Sequence, residues 1–324
     1  MRDFSFTGIP TVDYYDLFKE TKPRILLGST AVYAAAALAK QGANVLFSGP
    51  VGADLNPNLL TPLQDSGVIF DLHEMDGRQG SLEMAFTANG QVTSLTIDSG
   101  IGTEFQAEHL SDDFWKARVC WIGTCPHDYT VAVATKGRRH GCEVVLSPQG
   151  QFRNKLNDAT QLAEQLHFLN CNTAEMTTFG NGQLENGLAV LREINPELQV
   201  LLTRGRNGAW FIGRDEVFSI PAIPQVESEF LVGAGDAFAA TFHYHRIQGQ
   251  PIPTCLQRAT AAAVLKIRGF SYTRMGTNSE LLLKVEKLAP QLPVEHTAWN
   301  SKTAMRWFEA EDPDLTQDGR ITLK

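Results

Sequence analysis

Short apolar runs alternate along this chain with longer segments in which apolar residues recur at helical spacing. The short runs predict strands at 4–9, 24–28, 45–47, 119–122, 144–146, 167–169 and 200–202. The longer segments predict helices, among them 31–41, 59–65, 236–248 and 254–267. Strands that alternate with helices are typical of βαβ units. We therefore expect an α/β protein built on a mainly parallel sheet.

One segment departs from this alternation. Residues 81–86 and 92–97 show the apolar–polar alternation of half-buried strands, and Ala88-Asn89-Gly90 between them has the chemistry of a hairpin turn. We interpret 68–98 as an antiparallel flap inserted in the α/β chain. A turn is predicted just before it, at Gly49-Pro50-Val51-Gly52.

Two features mark the second half of the chain. Residues 210–212 and 217–220 predict an antiparallel edge of the sheet. The last stretch, 296–324, combines large aromatic residues with an acidic run. There we expect a short docked helix followed by a loose end.

Composition narrows the class of protein. The 324 residues are 43% hydrophobic and 20% charged, which is ordinary for a globular protein of one large or two small domains. A net charge of −8 argues against a nucleic-acid partner. No apolar stretch approaches the ~18 residues of a membrane span, and the N-terminus has no secretory pattern. The five cysteines are widely spaced, without a Cys-x-x-Cys pair, so we expect free thiols in a cytoplasmic protein.

The most informative motif is Gly233-Ala234-Gly235-Asp236, directly before the apolar run of a predicted helix. The first N–H groups of a helix lack intrahelical partners, and the helix dipole favours negative charge there. The amides of Gly233, Ala234 and Gly235 can therefore hold an anion, with the Asp236 carboxylate beside it as a base. The alternative is an ordinary helix start at which Asp236 is a capping residue.

Two further motifs contain residues suited to a phosphate and its metal ion. Asn172 and Glu175 face the same side of a helical turn and could orient a hydrated magnesium ion and a phosphate. The same spacing fits a capping box equally well. Thr203, Gly205 and Gly208 connect two strands, where they form either an ordinary hairpin or a loop with room for a nucleotide.

Two positions near the N-terminus could contact a polyol. Asp13 is predicted just past the end of a strand, where a carboxylate can accept hydrogen bonds from hydroxyl groups. The alternative is a solvated aspartate in a turn. Gly28 permits close approach of the backbone before the Ala-rich helix, or is simply part of a helix start that Ser29 or Thr30 caps.

The order and spacing of these motifs resemble the PfkB (ribokinase-like) family of carbohydrate and nucleoside kinases. The resemblance extends over roughly residues 4–290 and includes Gly49-Pro50-Val51-Gly52-Ala53-Asp54 and Leu146-Ser147-Pro148-Gln149-Gly150. It implies a ribokinase-like three-layer α/β/α sandwich with a mainly parallel central sheet and a small β lid.

The resemblance also implies boundaries. The kinase domain would span 1–295, with lid segments at approximately 10–27 and 68–98, and 296–324 would be a C-terminal extension. A two-stranded flap with one apolar face needs a cover. The lid can close over its own substrate or pair with the lid of a second subunit in a two-fold homodimer, and we favour the dimer.

The function that the resemblance implies is the ATP-dependent phosphorylation of a hydroxyl of a small sugar, polyol or nucleoside. Asp236 would be the catalytic base, and the amides of Gly233, Ala234 and Gly235 would form the anion hole. The remaining roles would be magnesium and its water for Asn172 and Glu175, the ATP site for Thr203, Gly205 and Gly208, and the acceptor site for Asp13 and Gly28.

The chain departs from the family pattern Asp-Thr-x-Gly-Ala-Gly-Asp, because Phe230 and Leu231 replace its aspartate and threonine. In many relatives that aspartate holds a monovalent cation. Neither replacement has a side-chain oxygen, so potassium activation is not expected unless Glu229 supplies a ligand. Leu27 and Ser147 replace two further family residues. These departures keep a second hypothesis open, namely a weak or inactive relative that only binds a sugar or nucleoside.

Overall fold

A computed structural model describes residues 1–18, 20–87, 92–148, 161–180, 183–224 and 230–299. Its strands are β1 (Arg2–Thr7), β2 (Thr11–Asp16), β3 (Arg24–Gly28), β4 (Val45–Gly52), β5 (Ile69–Met75), β6 (Ser81–Phe86), β7 (Val92–Asp98), β8 (Ala117–Ile122), β9 (Glu143–Leu146), β10 (Phe168–Asn172), β11 (Gln199–Thr203), β12 (Ala209–Ile212), β13 (Glu216–Ile220) and β14 (Glu295–Ala298). The described helices are α1 (Thr30–Lys40), α2 (Thr61–Gln64), α3 (His127–Arg139), α4 (Thr173–Phe179), α5 (Leu184–Ile194), α6 (Ala234–Ile247), α7 (Ile252–Lys266) and α8 (Asn278–Leu288).

The larger of two sheets has ten strands in the order β14-β13-β12-β11-β10-β9-β8-β1-β4-β5. Neighbouring strands from β5 through β11 are parallel. Strands β12, β13 and β14 extend this sheet in antiparallel pairs. The expectation of a mainly parallel sheet with an antiparallel edge is confirmed.

Alternate residues of the central strands enter two separate hydrophobic cores. Val119 and Trp121 of β8 belong to one core together with residues of α1, α6 and α7. Cys120 and Ile122 belong to the other core, on the side of α3 and α5. Successive side chains of a strand point to opposite faces, so the sheet lies between two layers of helices. This confirms the α/β/α sandwich. None of the described helices is long and apolar enough to cross a membrane.

The smaller sheet has four strands in the order β3-β2-β6-β7. Strand β2 is antiparallel to β3 and parallel to β6, and β6 is antiparallel to β7. Tyr15, Leu26 and Met84 of this sheet are buried and belong to the core that contains α1. One face of the small sheet therefore packs on the body of the same chain.

The predicted flap at 68–98 is only partly correct. Strands β6 and β7 form its antiparallel pair, but β5 pairs with β4 at the edge of the larger sheet. A period-two pattern predicts a strand without showing which sheet it joins, which explains the error. The predicted turn at 88–90 lies outside the described residues.

The predicted turn at Gly49-Pro50-Val51-Gly52 is the end of β4, which pairs with β5 as far as Gly52. On its other side β4 pairs with β1 only as far as Ser48. Beyond Ser48 the strand has one neighbour, and such a position tolerates a proline that lacks an N–H group.

The C-terminal boundary also needs correction. Residues 295–298 are strand β14 of the larger sheet, so an extension that begins at 296 would cut through a strand. The docked helix expected further along falls in residues 300–324, outside the described part of the chain.

Candidate active site

Helix α6 begins at the predicted anion motif. Gly233 precedes its first residue and has a φ of 84°, in the left-handed region that favours glycine. A Cβ at this position would overlap the ring of Tyr33 on α1. The Ala234 N–H group is engaged, because it donates to the carbonyl oxygen of Leu231 at 3.1 Å. In the described chain, the N–H groups of Gly233 and Gly235 have no backbone acceptor.

Gly235 borders open space. It is exposed, and no described atom lies within 4 Å of a Cβ placed on it. It lines a cavity of about 160 Å³ at the carboxyl ends of β9, β10 and β11. The cavity is also lined by Thr30, Ser147, Pro148, Asn170, Cys171, Asn172, Glu175, Leu201, Thr203, Asp236 and Ala239. Ligands of open α/β sheets bind outside the carboxyl ends of strands, which is where this cavity lies.

Asp236 lies in the first turn of α6 and contributes to the cavity lining. Burial, the larger cause, and the negative charge of Glu175 raise the pKa of its carboxyl group to about 8, and the positive charge of Lys266 opposes both. Within the described residues its side chain accepts no hydrogen bond. Its carboxyl group therefore has raised basicity, and its oxygens are not engaged by hydrogen bonds from the described residues.

Asn172 and Glu175 form the capping box that the sequence left as an alternative. The Asn172 side chain accepts from the Glu175 N–H group at 2.8 Å, and Glu175 Oε2 accepts from the Asn172 N–H group at 2.9 Å. Both residues also line the cavity. The capping role therefore does not exclude a ligand role, because the box holds both side chains at the cavity wall.

The charges around the cavity fit a hydrated magnesium ion. Glu175 and Asp236 repel one another, as the raised pKa of Asp236 shows, and a cation between them would relieve this repulsion. Mg²⁺ keeps several waters and uses one or two carboxylates. The described residues contain no cluster of three or more His, Cys, Asp or Glu side chains that could hold a metal ion. Such an ion would thus be held mainly through water and phosphate.

The predicted nucleotide segment is divided. Thr203 lines the cavity, whereas Gly205 and Gly208 do not. Both glycines have positive φ, of 54° and 90°, in the hairpin between β11 and β12. A Cβ on Gly208 would overlap the carbonyl oxygen of Ile220, so this glycine has a structural role in the hairpin beside the cavity.

Asp13 and Gly28 are brought together as expected, but Asp13 is not in a turn. It lies in β2 and is 3% exposed. Thr11 donates to its Oδ1 at 2.6 Å and the Tyr15 hydroxyl donates to its Oδ2 at 2.7 Å. A Cβ on Gly28 would overlap this carboxylate, which is why glycine is needed there. Burial raises the pKa of Asp13 to about 7, and the two hydrogen bonds oppose this.

Tyrosine side chains fill the space between Asp13 and the anion motif. The Tyr15 hydroxyl lies 3.3 Å from the Tyr33 hydroxyl, and the ring of Tyr33 packs against Gly233. Tyr15 and Tyr33 are 0% and 2% exposed. The predicted acceptor site is therefore closed by the protein's own aromatic rings in this conformation, while the cavity beside Asp236 is open.

Sequence analysis missed two polar residues at this site. Asn170 lines the cavity, its Oδ1 lies 2.8 Å from Nε2 of His243, and its Nδ2 has no partner in the described structure. Lys266, at the end of α7, is buried close enough to Asp236 to influence its pKa. The available signal was a lone polar residue inside an apolar run, Phe-Leu-Asn-Cys and Ala-Val-Leu-Lys respectively.

Comparisons with known proteins bear on the family and the fold. A family model described as pfkB family carbohydrate kinase matches residues 32–275. An Arabidopsis thaliana ribokinase complexed with ribose and ATP is 21% identical, with a TM-score of 0.77 over 88% of this chain and 99% of that one. A Cryptococcus neoformans ribokinase in complex with ADP is 17% identical, with a TM-score of 0.74 over 88% and 100% of the two chains.

A probable sugar kinase from Rhizobium etli is 18% identical, with a TM-score of 0.78 over 88% of this chain and 98% of that one. A search of curated proteins gives no match. At these identities the solved structures establish the fold, and the family model matches most of the chain, from α1 to the segment after α7. The chain therefore belongs to the pfkB family of carbohydrate kinases.

Proposed function

We propose that this chain is an ATP-dependent kinase that phosphorylates a hydroxyl of a small sugar, polyol or nucleoside. One observation carries the proposal. Asp236, with its raised pKa and no hydrogen bond from the described residues, lies at the start of α6 on a cavity that Glu175 and Thr203 also line. A base beside helix N–H groups and a second carboxylate is the arrangement that phosphoryl transfer needs.

In the proposed reaction the acceptor oxygen attacks the γ-phosphorus, its proton passes to the Asp236 carboxylate, and the bond to ADP breaks. The N–H groups of Gly233 and Gly235 stabilise the charge of the transferred group. Only ionised Asp236 accepts a proton. Because its pKa is about 8, kcat/KM is expected to rise with pH along an acid limb near that value.

Asn172 and Glu175 would hold magnesium through water and phosphate, and Thr203 would contact the nucleotide. The bound ion supplies positive charge that neutralises the phosphates. The small sheet would act as a lid, since its buried face, with Tyr15 and Met84, already packs toward the site and can exclude water. Water exclusion suppresses wasteful hydrolysis of ATP.

Asp13 and Gly28 form the proposed acceptor site. An acceptor hydroxyl would replace the Tyr15 hydroxyl on Asp13 Oδ2, and Tyr33 would have to move for the acceptor to reach Asp236. The closed state of this site also supports a second candidate, a relative that binds a sugar or nucleoside with little or no turnover. The replacement of the family aspartate and threonine by Phe230 and Leu231 favours the same candidate.

A coupled ADP-release assay over pentoses, hexoses, inositols and nucleosides tests the proposal. Turnover with any acceptor, dependent on magnesium, supports the kinase. Isothermal titration with the same compounds and with ATP identifies the alternative, since a binding protein gives heats of binding without ADP release. No binding of ATP and no turnover would contradict the kinase.

A further inference from the structure

Lys266 is the last residue of α7, and its side chain is fully buried, at 0% exposure. Lysine is almost never fully buried unless paired, because removing its charge from water is costly. Its Nζ donates to the carbonyl oxygen of Phe230 at 3.0 Å and lies 4.8 Å from the centroid of the Phe230 ring. A carbonyl and an aromatic face compensate the charge only in part, so another negative group is needed.

The negative charge of Asp236 acts on Lys266. Burial lowers the pKa of Lys266 to about 8, and the charge of Asp236 opposes this lowering. Conversely, Lys266 opposes the increase in the pKa of Asp236 that burial and Glu175 cause. Glu175 and Lys266 are the charged side chains of the described residues that act on Asp236, and Lys266 is the cation of the two.

Lys266 also holds the segment that leads into the anion motif. Phe230 donates its N–H group to the carbonyl oxygen of Ile267 at 3.3 Å and accepts from Lys266 at its own carbonyl oxygen. Both backbone groups of Phe230 are therefore tied to the end of α7. Its ring lies 5.0 Å from that of Tyr15 and 5.7 Å from that of Phe86, which connects the same residue to the small sheet.

We propose that the ammonium group of Lys266 is a built-in cation of the phosphate site, which holds Phe230 and the following loop in the conformation that binds a polyphosphate anion. Lys266 is a positioning residue, since it acts through Phe230. Its effect on rate rests on the proposed kinase function, whereas its effect on polyphosphate binding does not. A cation that belongs to the chain makes an exchangeable monovalent ion unnecessary.

The first test uses the wild-type protein. Rates are compared in potassium chloride and in tetramethylammonium chloride at equal ionic strength. Equal rates support a built-in cation. A large activation specific to potassium overturns the proposal, because a bound ion would then supply the charge.

The second test removes the charge while keeping the length of the side chain. Lys266→Met should weaken ATP binding about tenfold, because the Phe230 carbonyl oxygen loses its donor and the loop that follows Phe230 is no longer held. Lys287, exposed on α8, is the matched control, and Lys287→Met should leave ATP affinity unchanged. A Lys266→Met protein with wild-type ATP affinity overturns the proposal.

A third variant separates charge from structural damage. Lys266→Ala leaves a buried space beside the Phe230 carbonyl, and ammonium or potassium chloride should restore part of its rate where tetramethylammonium chloride does not. A merely structural lysine would give no such selective rescue.

If the wild-type protein is inactive with every acceptor, the kinase proposal is contradicted but the built-in cation is not. ATP titration then tests the built-in cation. ATP affinity that falls in Lys266→Met and not in Lys287→Met supports the built-in cation, and equal affinities overturn it.

Discussion

Asp236, which is partly exposed, and Asp13, which is buried, both lie beside a glycine, and both have a raised pKa, about 8 and about 7, with burial as the largest cause. Their surroundings differ. Asp13 accepts hydrogen bonds from Thr11 and Tyr15, whereas Asp236 accepts none from the described residues and lines a cavity. The first carboxylate is satisfied by its own chain, and the second is left for a ligand.

The difference shows how a raised pKa should be interpreted. Burial is the largest cause at both positions, so a raised pKa does not by itself identify the base. What separates the two is geometry: Gly235 next to Asp236 faces open space, whereas the Cβ missing at Gly28 is the space that the Asp13 carboxylate occupies. In the proposed kinase the nucleotide side would be preformed, and the acceptor side would have to rearrange to admit a substrate.

The largest effect is expected at the open carboxylate. Asp236→Asn keeps the shape and removes the base, so kcat should fall by about 10²–10⁴-fold with ATP affinity nearly intact. Asp13→Asn should instead raise the KM for the acceptor. Rates and ATP titrations of the two variants check this. An Asp236→Asn enzyme with more than half of the wild-type rate would remove Asp236 from the mechanism.

Substitutions at the two glycines of the anion motif should affect different properties, stability at Gly233 and ATP binding at Gly235. Gly233 has positive φ and its Cβ would overlap Tyr33, so Gly233→Ala should lower the melting temperature by several degrees, for a cost of about 1–3 kcal/mol. Gly235→Ala meets no described atom and should weaken ATP binding without a change in melting temperature. Calorimetry and ATP titration of both variants provide the comparison. Equal melting temperatures for the two would contradict the assigned geometry.

The open site could be predicted further from sequence than the closed one. Gly233 to Asp236 and Asn172 to Glu175 are local motifs, in which neighbours in sequence build the structure. The structure places the side chains of Asn172, Glu175 and Asp236 on one cavity. Asp13 was misplaced because its strand pairs with residues 24–28 and 81–85, far away in sequence. The βαβ core, like the two local motifs, was predictable because its helices and strands have local periodicity.

Lys266 and Tyr33 are residues whose roles could not be predicted from the sequence. Each belongs to a helix whose local pattern predicts only a buried face. Their importance comes from what the fold sets against them, Phe230 and Gly233 respectively. Such contacts join distant segments and leave no spacing in the sequence.

Glu175 tests whether the open side holds a cation. Its charge raises the pKa of Asp236, so Glu175→Gln should move the acid limb of kcat/KM to lower pH and, at the same time, raise the magnesium concentration for half-maximal rate by about tenfold. Glu280 is a matched control, because it forms the same capping box with Thr277 on α8. Glu280→Gln should change neither property. An unchanged magnesium dependence in Glu175→Gln would leave the capping box as its whole role.

The buried carboxyl group of Asp13 should make the stability of the protein depend on pH. The folded-state pKa of Asp13, about 7, exceeds its ordinary value of 3.8, so the folded protein binds the extra proton. Its contribution to stability is therefore complete below about pH 4 and is lost as pH rises through 7. Asp13→Asn should gain melting temperature relative to wild type by about 3 °C or more between pH 4 and pH 7. Asp16→Asn, exposed on the same strand, should not. Parallel pH profiles of wild type and Asp13→Asn would contradict the burial argument.

The lid gives the smallest expected effect. Phe86 is unsuited to probe a dimer, because its ring packs against Tyr15 and Phe230 of its own chain. Ile25 and Ile97 are the better probes, since they lie on the edge strands of the small sheet and are 50% and 55% exposed.

Pairing of two lids would cover these exposed isoleucines. A second copy of the chain would then contact the lid beside the proposed acceptor site. Sedimentation at micromolar concentration should then give about twice the 35.7 kDa chain mass. Ile97→Glu should shift it toward the monomer and raise the KM for the acceptor about two- to threefold, without changing ATP affinity, because the nucleotide side lies outside the lid. Leu283→Glu, at a 58% exposed position on α8, is the control and should leave the mass unchanged. A wild-type monomer throughout this range would exclude the dimer and leave a lid that closes on its own chain, as the packing of Tyr15 and Met84 already allows.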